Sequence, residues 1–382
     1  MSIESDGKFI SNPIEVAEIF NNFYTNLAQS NLILCDHKND KINSHLSTIF
    51  LKPCDIEEIM KLIKSLNQSK AVGYDGIPTK IIKECSIAIA EILTALINRS
   101  FEVGRFPDCL KKSIVKPIYK KNNPLNVENY RPITLIPIFS KLFEKALHIR
   151  ITNFLHKCNI IKKNQNGFQK GKSTTLAAFN LVKAILENVD KNKYVSAVFF
   201  NMSKAFDFVC HDKLLIKCNK YGIRGPAYDW IKSYLDNRQQ CVEIGEINRF
   251  KEVNTYRSSY KLNKYGVPQG SVLGPLLFII YINDLPDVIH HHCTLFADDI
   301  SILVTNDNEH DHVKDLNAVV GICIEWLANN NLNVNISKTS FVQFYNRKPK
   351  TNKIKISYNN CDLLENTNVL FLGITLDNVC SW

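Results

Sequence analysis

Residues 295–300 read Leu295-Phe296-Ala297-Asp298-Asp299-Ile300 and place two adjacent carboxylates between apolar runs. The runs 293–297 and 300–304 are β-branched and aromatic, which predicts a hairpin of two short strands whose turn carries both aspartates. Two like charges held side by side repel each other unless a cation lies on them. Because carboxylate oxygens are hard ligands, the pair indicates Mg²⁺. A solvated Asp-Asp turn is the alternative interpretation of the pair alone.

The composition is that of an ordinary globular protein with a basic balance. The 382 residues allow two or three subdomains, and 45% are hydrophobic. The net charge of +10 concentrates in lysine-rich clusters at 111–121, 157–172 and 347–355. Each cluster alone could be a solvated face, but three within one chain favour a polyanionic partner such as nucleic acid.

Cysteine spacing and hydropathy exclude several classes of protein. The 12 cysteines contain no C-x-x-C pair, which argues against a common zinc site and fits reduced thiols in an intracellular protein. There is no apolar run of membrane-spanning length, and the N-terminus is polar. We therefore expect a soluble, intracellular protein with no membrane partner, in either nucleus or cytoplasm. The oligomeric state stays open.

Hydrophobic periodicity changes along the chain. It predicts helices over 13–29, from Asp55 onward and over 81–101, so that the first hundred residues are helix-rich. Strands are predicted at 113–119, 133–136 and 195–200, with a helix over 140–155. Alternating strands and helices indicate an α/β or α+β architecture.

A second segment whose residues suggest a chemical function is the loop Gly266-Val267-Pro268-Gln269-Gly270-Ser271. Its glycines permit close approach of the backbone to a ligand, and its proline restricts the entry into the loop. The Gln269 amide offers donors and an acceptor to a base or sugar. The apolar residues 272–282 predict a helix that anchors the loop. Alone, such a loop is more often structural than functional.

Together with further motifs in a fixed order, the chain resembles reverse transcriptases of jockey-like non-long-terminal-repeat (LINE-type) retrotransposons. The resemblance covers nearly the whole chain. The matching segments are Asn129-Tyr130-Arg131-Pro132-Ile133, Ser140-Lys141-Leu142-Phe143-Glu144-Lys145, Gln165-Asn166-Gly167-Phe168-Gln169-Lys170-Gly171, Ser203-Lys204-Ala205-Phe206-Asp207, Tyr221-Gly222-Ile223-Arg224-Gly225, the Gly266 loop, Tyr281-Ile282-Asn283-Asp284-Leu285-Pro286, the Asp298-Asp299 box, Ser337-Lys338-Thr339 and Phe371-Leu372-Gly373.

The resemblance implies an α+β right-hand polymerase with fingers and an antiparallel palm sheet. It implies a helical N-terminal extension at 1–97, a reverse transcriptase domain at 98–376 and a truncated start of the thumb connection at 377–382, so that the thumb is largely absent. The implied reaction is RNA-directed DNA synthesis, in which a DNA primer 3′-hydroxyl attacks the α-phosphate of a deoxynucleoside triphosphate (dNTP) along an RNA template. Two Mg²⁺ ions, with Mn²⁺ as the alternative, serve this chemistry.

By the same resemblance, Asp298 and Asp299 are the palm carboxylates that hold the metal ions, with Asp298 favoured as a direct ligand, and the amide oxygen of Asn201 can still coordinate. Lys338 matches a position that protonates the leaving pyrophosphate. A surface cation, or one on the template backbone, is the alternative interpretation of Lys338.

Nucleotide contacts are implied for five further residues. Phe206 would lie under the sugar and reject a ribose 2′-hydroxyl, and Gln269 would contact the incoming nucleotide. Arg131, with Lys120 and Lys121 nearby, would bind the triphosphate, since a guanidinium can hold phosphate oxygens in a bidentate manner. A template-backbone or surface role is the alternative for Arg131.

Two positions depart from the family pattern. Asn201 stands where a third metal-binding aspartate is expected, and Gln169 stands where arginine is usual. Asp207 lies beyond the predicted strand and is not expected to substitute. We therefore expect a weakened or inactive polymerase. The alternative is a catalytically inactive module that binds RNA or an RNA–DNA hybrid, whereas a metal-dependent nuclease would explain neither Gln269 nor Phe206.

Overall fold

The computed structural model describes residues 2–5, 7–27, 44–68, 71–202, 204–247, 253–346, 354–358 and 361–380. Most of the basic cluster at 347–355, and the end of the helix predicted over 13–29, lie outside these ranges. The described helices are α1 (Pro13–Asn26), α2 (Ile56–Lys64), α3 (Thr79–Glu84), α4 (Ser86–Glu102), α5 (Ile138–Lys157), α6 (Thr174–Asp190), α7 (His211–Lys220), α8 (Pro226–Leu235), α9 (Gly274–Ile282), α10 (Leu285–Val288) and α11 (Glu309–Asn329).

Strands and helices alternate through most of the chain, which confirms the predicted α+β character. The described strands are β1 (Ile3–Ser5), β2 (Lys8–Ile10), β3 (Lys112–Tyr119), β4 (Tyr130–Leu135), β5 (Tyr194–Asn201), β6 (Gln239–Ile247), β7 (Val253–Arg257), β8 (Lys261–Leu262), β9 (His292–Phe296), β10 (Asp299–Asn306), β11 (Ser340–Phe344), β12 (Ser357–Tyr358), β13 (Cys361–Asp362), β14 (Leu364–Glu365), β15 (Asn368–Phe371) and β16 (Ile374–Asp377). Among the described helices, none combines the length and apolar character that a membrane crossing requires.

Capping residues explain where the first helices begin. Asn12 accepts hydrogen bonds from the backbone N–H groups of Ile14 and Glu15, and Pro13 occupies the first turn of α1. Asp55 caps α2 by accepting from the Glu58 N–H at 2.7 Å. Both helix starts confirm the sequence prediction.

The prediction of a single helix over 81–101 is wrong in one respect. The structure divides this segment into α3 and α4, which meet at Cys85. There ψ is +8°, outside the helical range, so the regular hydrogen-bond ladder ends and a new one begins. The apolar periodicity alone does not reveal this break.

The chain divides into two compact units, the first comprising residues 1–160 and 206–277 and the second residues 161–205 and 278–382. In the first unit the sheet order is β4-β3-β6-β7, and β8 also pairs with β6. The β3–β6 pair is parallel and the other pairs are antiparallel. Helix α1 buries Val16 and Phe20 against Val115 and Val242 of this sheet, and these contacts form its core.

The second unit is built on a sheet of order β14-β11-β5-β10-β9, with β5 at its centre. Residues 195–200 of β5 are all buried, which confirms the predicted strand and fits a strand covered on both faces. On one face Val195, Ala197 and Phe199 join a core with Leu181 and Ile185 of α6. The opposite face of β5 therefore meets other elements, among them α11.

A buried histidine links β5, β10 and α11. Asn306 turns its amide nitrogen to Asp315, so its Oδ1 accepts from His312 Nδ1 at 3.3 Å. His312 Nε2 then accepts from the Ser196 hydroxyl at 2.8 Å. The His312 pKa is lowered to about 4, chiefly by burial; the charge of Asp315 opposes this shift and that of His291 contributes to it. The folded unit therefore holds this ring in its neutral form.

We expect replacement of Arg150 to destabilise the first unit strongly. The buried Arg150 guanidinium donates to both Glu58 oxygens, at 2.6 and 2.9 Å, and to the Lys52 carbonyl at 2.6 Å. Arg150→Ala should cost about 3 kcal/mol of unfolding free energy in urea, because it leaves Glu58 without its partner. Arg99→Ala, which breaks an exposed pair with Glu102, should cost less than about 1 kcal/mol. Equal losses for the two variants would contradict this assignment.

The neutral His312 should make stability fall in acid. A base with a lowered pKa takes up its proton preferentially in the unfolded chain, so unfolding becomes easier as the pH falls from about 6.5 to about 4. The expected loss is about 3 kcal/mol. Urea unfolding across this range should show a smaller pH dependence for His312→Gln than for the exposed control His310→Gln. The same pH dependence in both variants would refute the role of His312.

Candidate functional site

Asn201 and Asp299 face each other across the central strand pair of the second unit. β5 and β10 are antiparallel, and their register pairs Asn201 with Asp299 directly. Opposed residues in such a pair project to the same face of the sheet. Both residues are exposed, whereas the strand residues behind them are buried. The structure therefore brings an amide and a carboxylate together at the open end of the sheet.

Asp298 lies beside them in the turn between β9 and β10. Phe296 pairs with Asp299, so the turn consists of Ala297 and Asp298 alone. The expectation that the turn carries both aspartates is thus wrong for Asp299, which is the first residue of β10. This difference matters for the site because the strand register, and not a loop conformation, sets the position of Asp299.

The two aspartates lie next to each other, and their carboxylates repel. Desolvation by the surrounding protein, and then repulsion from Asp298, raise the pKa of Asp299 above its ordinary value, although the residue is exposed. In the described part of the chain, neither carboxylate forms an ion pair with a lysine or arginine. A pair of carboxylates in this state is stabilised by a cation.

The oxygens present fit a hard divalent cation. Asp298 and Asp299 supply carboxylates, and Asn201 supplies an amide oxygen, which are ligand types that Mg²⁺ accepts together with water and phosphate. Among the described residues, no group of three or more His, Cys, Asp or Glu side chains is placed to hold a metal. The arrangement thus offers two carboxylates and one amide oxygen.

Lys338 lies on a short turn that is bonded to the backbone of Asn201. Asn335 N–H donates to the Asn201 carbonyl at 2.8 Å, and Asn201 N–H donates to Thr339 Oγ1 at 3.3 Å. Lys338 is exposed at the end of the 3₁₀ turn Ile336–Lys338. The structure therefore places Lys338 near Asn201. Sequence reasoning missed Asn335, whose side chain caps this turn, and it named Thr339 only as part of a motif, without its bond to Asn201.

In the first unit, Gln269 has a partner that the sequence did not reveal. Its Nε2 donates to both carboxylate oxygens of Asp207, each at 2.9 Å. A carboxylate only accepts hydrogen bonds, so this contact fixes which end of the amide faces Asp207 and turns Oε1 away from it. The motif residue Asp207, considered above only as a substitute metal ligand, is thus engaged with Gln269.

Close backbone contacts hold the Gln269 loop. Thr134 N–H donates to the Gln269 carbonyl at 2.7 Å. Gly270 has a φ of +118°, and a β-carbon there would lie 2.6 Å from the Thr134 carbonyl oxygen. Glycine at 270 is therefore required both by conformation and by space, and the close approach it permits is to the Thr134 backbone. The predicted approach of this loop to a ligand stays a prediction.

A buried carboxylate anchors the far end of the same loop. Glu144 of α5 accepts from the N–H groups of Val272 at 2.7 Å and Leu273 at 3.1 Å, and from the Ser140 hydroxyl at 2.9 Å. Burial raises its pKa above the ordinary range. Glu144 belongs to one of the quoted motifs, but no sequence pattern indicates that it binds the loop.

The remaining candidate nucleotide contacts are also in the first unit. Phe206 is half-buried, and its carbonyl accepts from the Val267 N–H at 2.9 Å, so it adjoins the Gln269 loop. Arg131 is exposed on β4, opposite Ile118 of β3. Lys120 and Lys121 are exposed immediately after β3. The three cations therefore cluster at one end of the β3–β4 hairpin.

Comparisons with known proteins identify the family of the chain. The family described as reverse transcriptase (RNA-dependent DNA polymerase) matches residues 118–376. The chain is 32% identical to the probable RNA-directed DNA polymerase from transposon BS of Drosophila melanogaster, over 86% of this chain and 36% of that protein. It is 28% identical to the RNA-directed DNA polymerase from mobile element jockey of the same species, over 86% of this chain and 35% of the relative.

A third relative, the probable RNA-directed DNA polymerase from transposon X-element, is 30% identical over 81% of this chain and 33% of its own length. The chain thus spans about a third of the length of the curated relatives it matches. The predicted resemblance to jockey-like elements is confirmed. The chain belongs to the reverse transcriptase family.

Proposed function

We propose that this chain is the polymerase portion of a retrotransposon protein that extends a DNA primer with dNTPs along an RNA template. In this proposal the sheet of the second unit is the palm, and the β3–β4 hairpin of the first unit belongs to the fingers. Residues 98–376 form the polymerase domain and 1–97 a helical extension. The observation that carries the proposal is the β5–β10 register, which pairs Asn201 with Asp299 next to Asp298.

Asp298, Asp299 and Asn201 would hold the divalent ions, Mg²⁺ or Mn²⁺. When bound, these ions supply Lewis-acid activation of the primer hydroxyl and neutralise charge on the leaving pyrophosphate. The exposed Lys338 would donate a proton to that leaving group, and its turn is tied to the Asn201 backbone. The raised pKa of Asp299, caused by desolvation and then by repulsion from Asp298, supports cation binding by the two carboxylates, because a bound cation would relieve both effects.

The first unit would bind the nucleotide. Gln269 would present Oε1 to a hydrogen-bond donor of the incoming dNTP, since its amide nitrogen is held by Asp207. Phe206 would pack under the sugar. The exposed guanidinium of Arg131, with Lys120 and Lys121, would bind triphosphate oxygens through charge-assisted hydrogen bonds.

We also propose that Asn201 impairs this reaction. An amide occupies the strand position without disturbing the register, yet it brings no negative charge to the cations. The loss should cost several kcal/mol of transition-state stabilisation, or about three orders of magnitude in rate. The second candidate function, binding of RNA or an RNA–DNA hybrid without catalysis, is favoured by the same absence of a third acidic ligand among the described residues.

Asn201→Asp should raise the rate of primer extension on an RNA template by about three orders of magnitude, because it restores the missing carboxylate. The rate is measured in single turnover with Mg²⁺. Asn180→Asp, which adds the same charge on the exposed side of α6, should have no effect. Equal, robust extension by wild type and Asn201→Asp would contradict the impairment. No extension by either protein, with hybrid binding retained, would favour the second candidate function.

Asp207→Asn should weaken nucleotide binding roughly tenfold, or by about 1 to 2 kcal/mol, because Gln269 loses a charge-assisted partner and its amide can rotate. The Kd for dNTP is taken from the concentration dependence of single-turnover extension. The maximal rate should change little, and Asp212→Asn, a neighbouring exposed aspartate, should change neither value. A lower maximal rate with an unchanged Kd would argue instead that Asp207 acts in the chemical step.

A further inference from the structure

The segment 164–167 overlaps the start of the quoted motif 165–171, and it pairs with β9 next to the Asp298 turn. Leu295 N–H donates to the Asn164 carbonyl at 3.0 Å, and Asn166 N–H donates to the Leu295 carbonyl at 2.8 Å. These bonds form a parallel bridge between Gln165 and Leu295. The segment therefore lies alongside the strand that leads into the two aspartates.

The Gln165 side chain reaches the turn itself. Its Oε1 accepts from the N–H of Ala297 at 3.2 Å and from the N–H of Gly167 at 2.8 Å. Gln165 is fully buried and Ala297 is 4% exposed. Without this acceptor the Ala297 N–H would be buried and unsatisfied, at a cost of about 1 to 3 kcal/mol.

The turn is bonded to Gln165 through the side-chain oxygen Oε1. Both donors are backbone N–H groups, so Oε1 must face them and Nε2 must face elsewhere. That buried Nε2 has no hydrogen-bond partner among the described residues. The protein thus tolerates an unsatisfied amide nitrogen in order to place the oxygen, and a protonated glutamic acid, which keeps a carbonyl oxygen and adds no buried charge, should serve as the acceptor.

Gly167 allows the segment to lie this close. A β-carbon at residue 167 would come within 2.4 Å of the Ala297 nitrogen and 3.0 Å of the Phe296 carbonyl carbon. Both are backbone atoms, so a side chain at 167 would displace the turn itself.

The turn needs such support because its conformation is strained. Ala297 has a φ of +55° at the first central position of a two-residue hairpin turn, where glycine is preferred. A residue with a β-carbon in this region costs on the order of 1 kcal/mol and persists when the surroundings hold it. Asp298 is the next residue, so the conformation of Ala297 also sets the direction of the Asp298 side chain.

We propose that Gln165 and Gly167 form a positioning clamp that fixes the Ala297–Asp298 turn and so sets how Asp298 and Asp299 present their oxygens to a divalent cation. The clamp itself follows from the hydrogen bonds and the close approach. Its effect on the cation rests on the function proposed above. Gln165 and Gly167 are positioning residues and touch neither metal nor substrate in this scheme.

The test uses Gln165→Leu, which removes the acceptor, and Gly167→Ala, which inserts the clashing β-carbon. The control is Gly321→Ala on α11, where an added β-carbon meets nothing within 4 Å. Gln165→Glu keeps an acceptor oxygen and serves as the rescue variant. Circular dichroism melts of all four variants provide the comparison of overall stability.

The first readout is hydrogen exchange of the peptide spanning residues 295–299, followed by mass spectrometry. We expect exchange at least tenfold faster in Gln165→Leu and Gly167→Ala, and exchange close to wild type in Gly321→Ala and Gln165→Glu. Unchanged exchange in Gln165→Leu would overturn the clamp, whatever the activity of the protein.

The second readout is Mn²⁺ affinity by electron paramagnetic resonance, which requires no catalysis. We expect the Kd to rise at least fivefold in Gln165→Leu and Gly167→Ala, but not in Gly321→Ala. Faster exchange with unchanged Mn²⁺ affinity would overturn the positioning role. Failure of the wild type to bind Mn²⁺ would overturn the proposed metal site and the proposed effect of Gln165 and Gly167 on it. The exchange result would still decide whether the clamp holds the turn.

Discussion

The antiparallel register between β5 and β10 is the constraint on which the candidate metal site depends. It pairs Asn201 with Asp299 and continues through seven further residue pairs to Tyr194 and Asn306. A shift of one residue would move every side chain of β10 to the opposite face of the sheet. The buried residues along both strands oppose such a shift, because their side chains would then pack against the wrong neighbours. The position of the carboxylate is therefore a consequence of core packing.

Buried acceptors play a comparable part in both units. Gln165 satisfies the turn that carries Asp298, and Glu144 satisfies the first N–H groups that follow the Gln269 loop. Each side chain is fully buried, and each accepts from two backbone N–H groups. Loops with exposed functional side chains still need satisfied backbone groups where they enter the protein. In both cases one distant polar side chain meets that need and thereby fixes the loop.

Asparagine at position 201, where the family resemblance implies aspartate, meets the needs of the fold but lacks the charge that a cation site needs. Asparagine and aspartate have nearly the same shape, so the end of β5, its bonds to Asn335 and Thr339, and its pairing with Asp299 are all compatible with the amide. What changes is the charge available to a cation. In the function proposed above, this chain would keep the architecture of the site while the reaction that the site supports weakened.

The sequence by itself determined the local elements and the family. Asn12 and Asp55 start their helices through their own side chains, the apolar run 195–200 forms the central strand, and the ordered motifs identify a reverse transcriptase. These features depend on neighbours in sequence or on the order of segments. They could be read without a structure.

Only the tertiary structure decided which distant groups meet. Gln165 and Ala297 are 132 residues apart, and Asp207 and Gln269 are 62 apart, so no local periodicity relates the members of either pair. The break at Cys85 and the placement of Asp299 in β10 also escaped the sequence, since backbone angles and strand register follow from packing against the rest of each unit. Long-range contacts of this kind depend on the whole fold, and they give the candidate site its geometry.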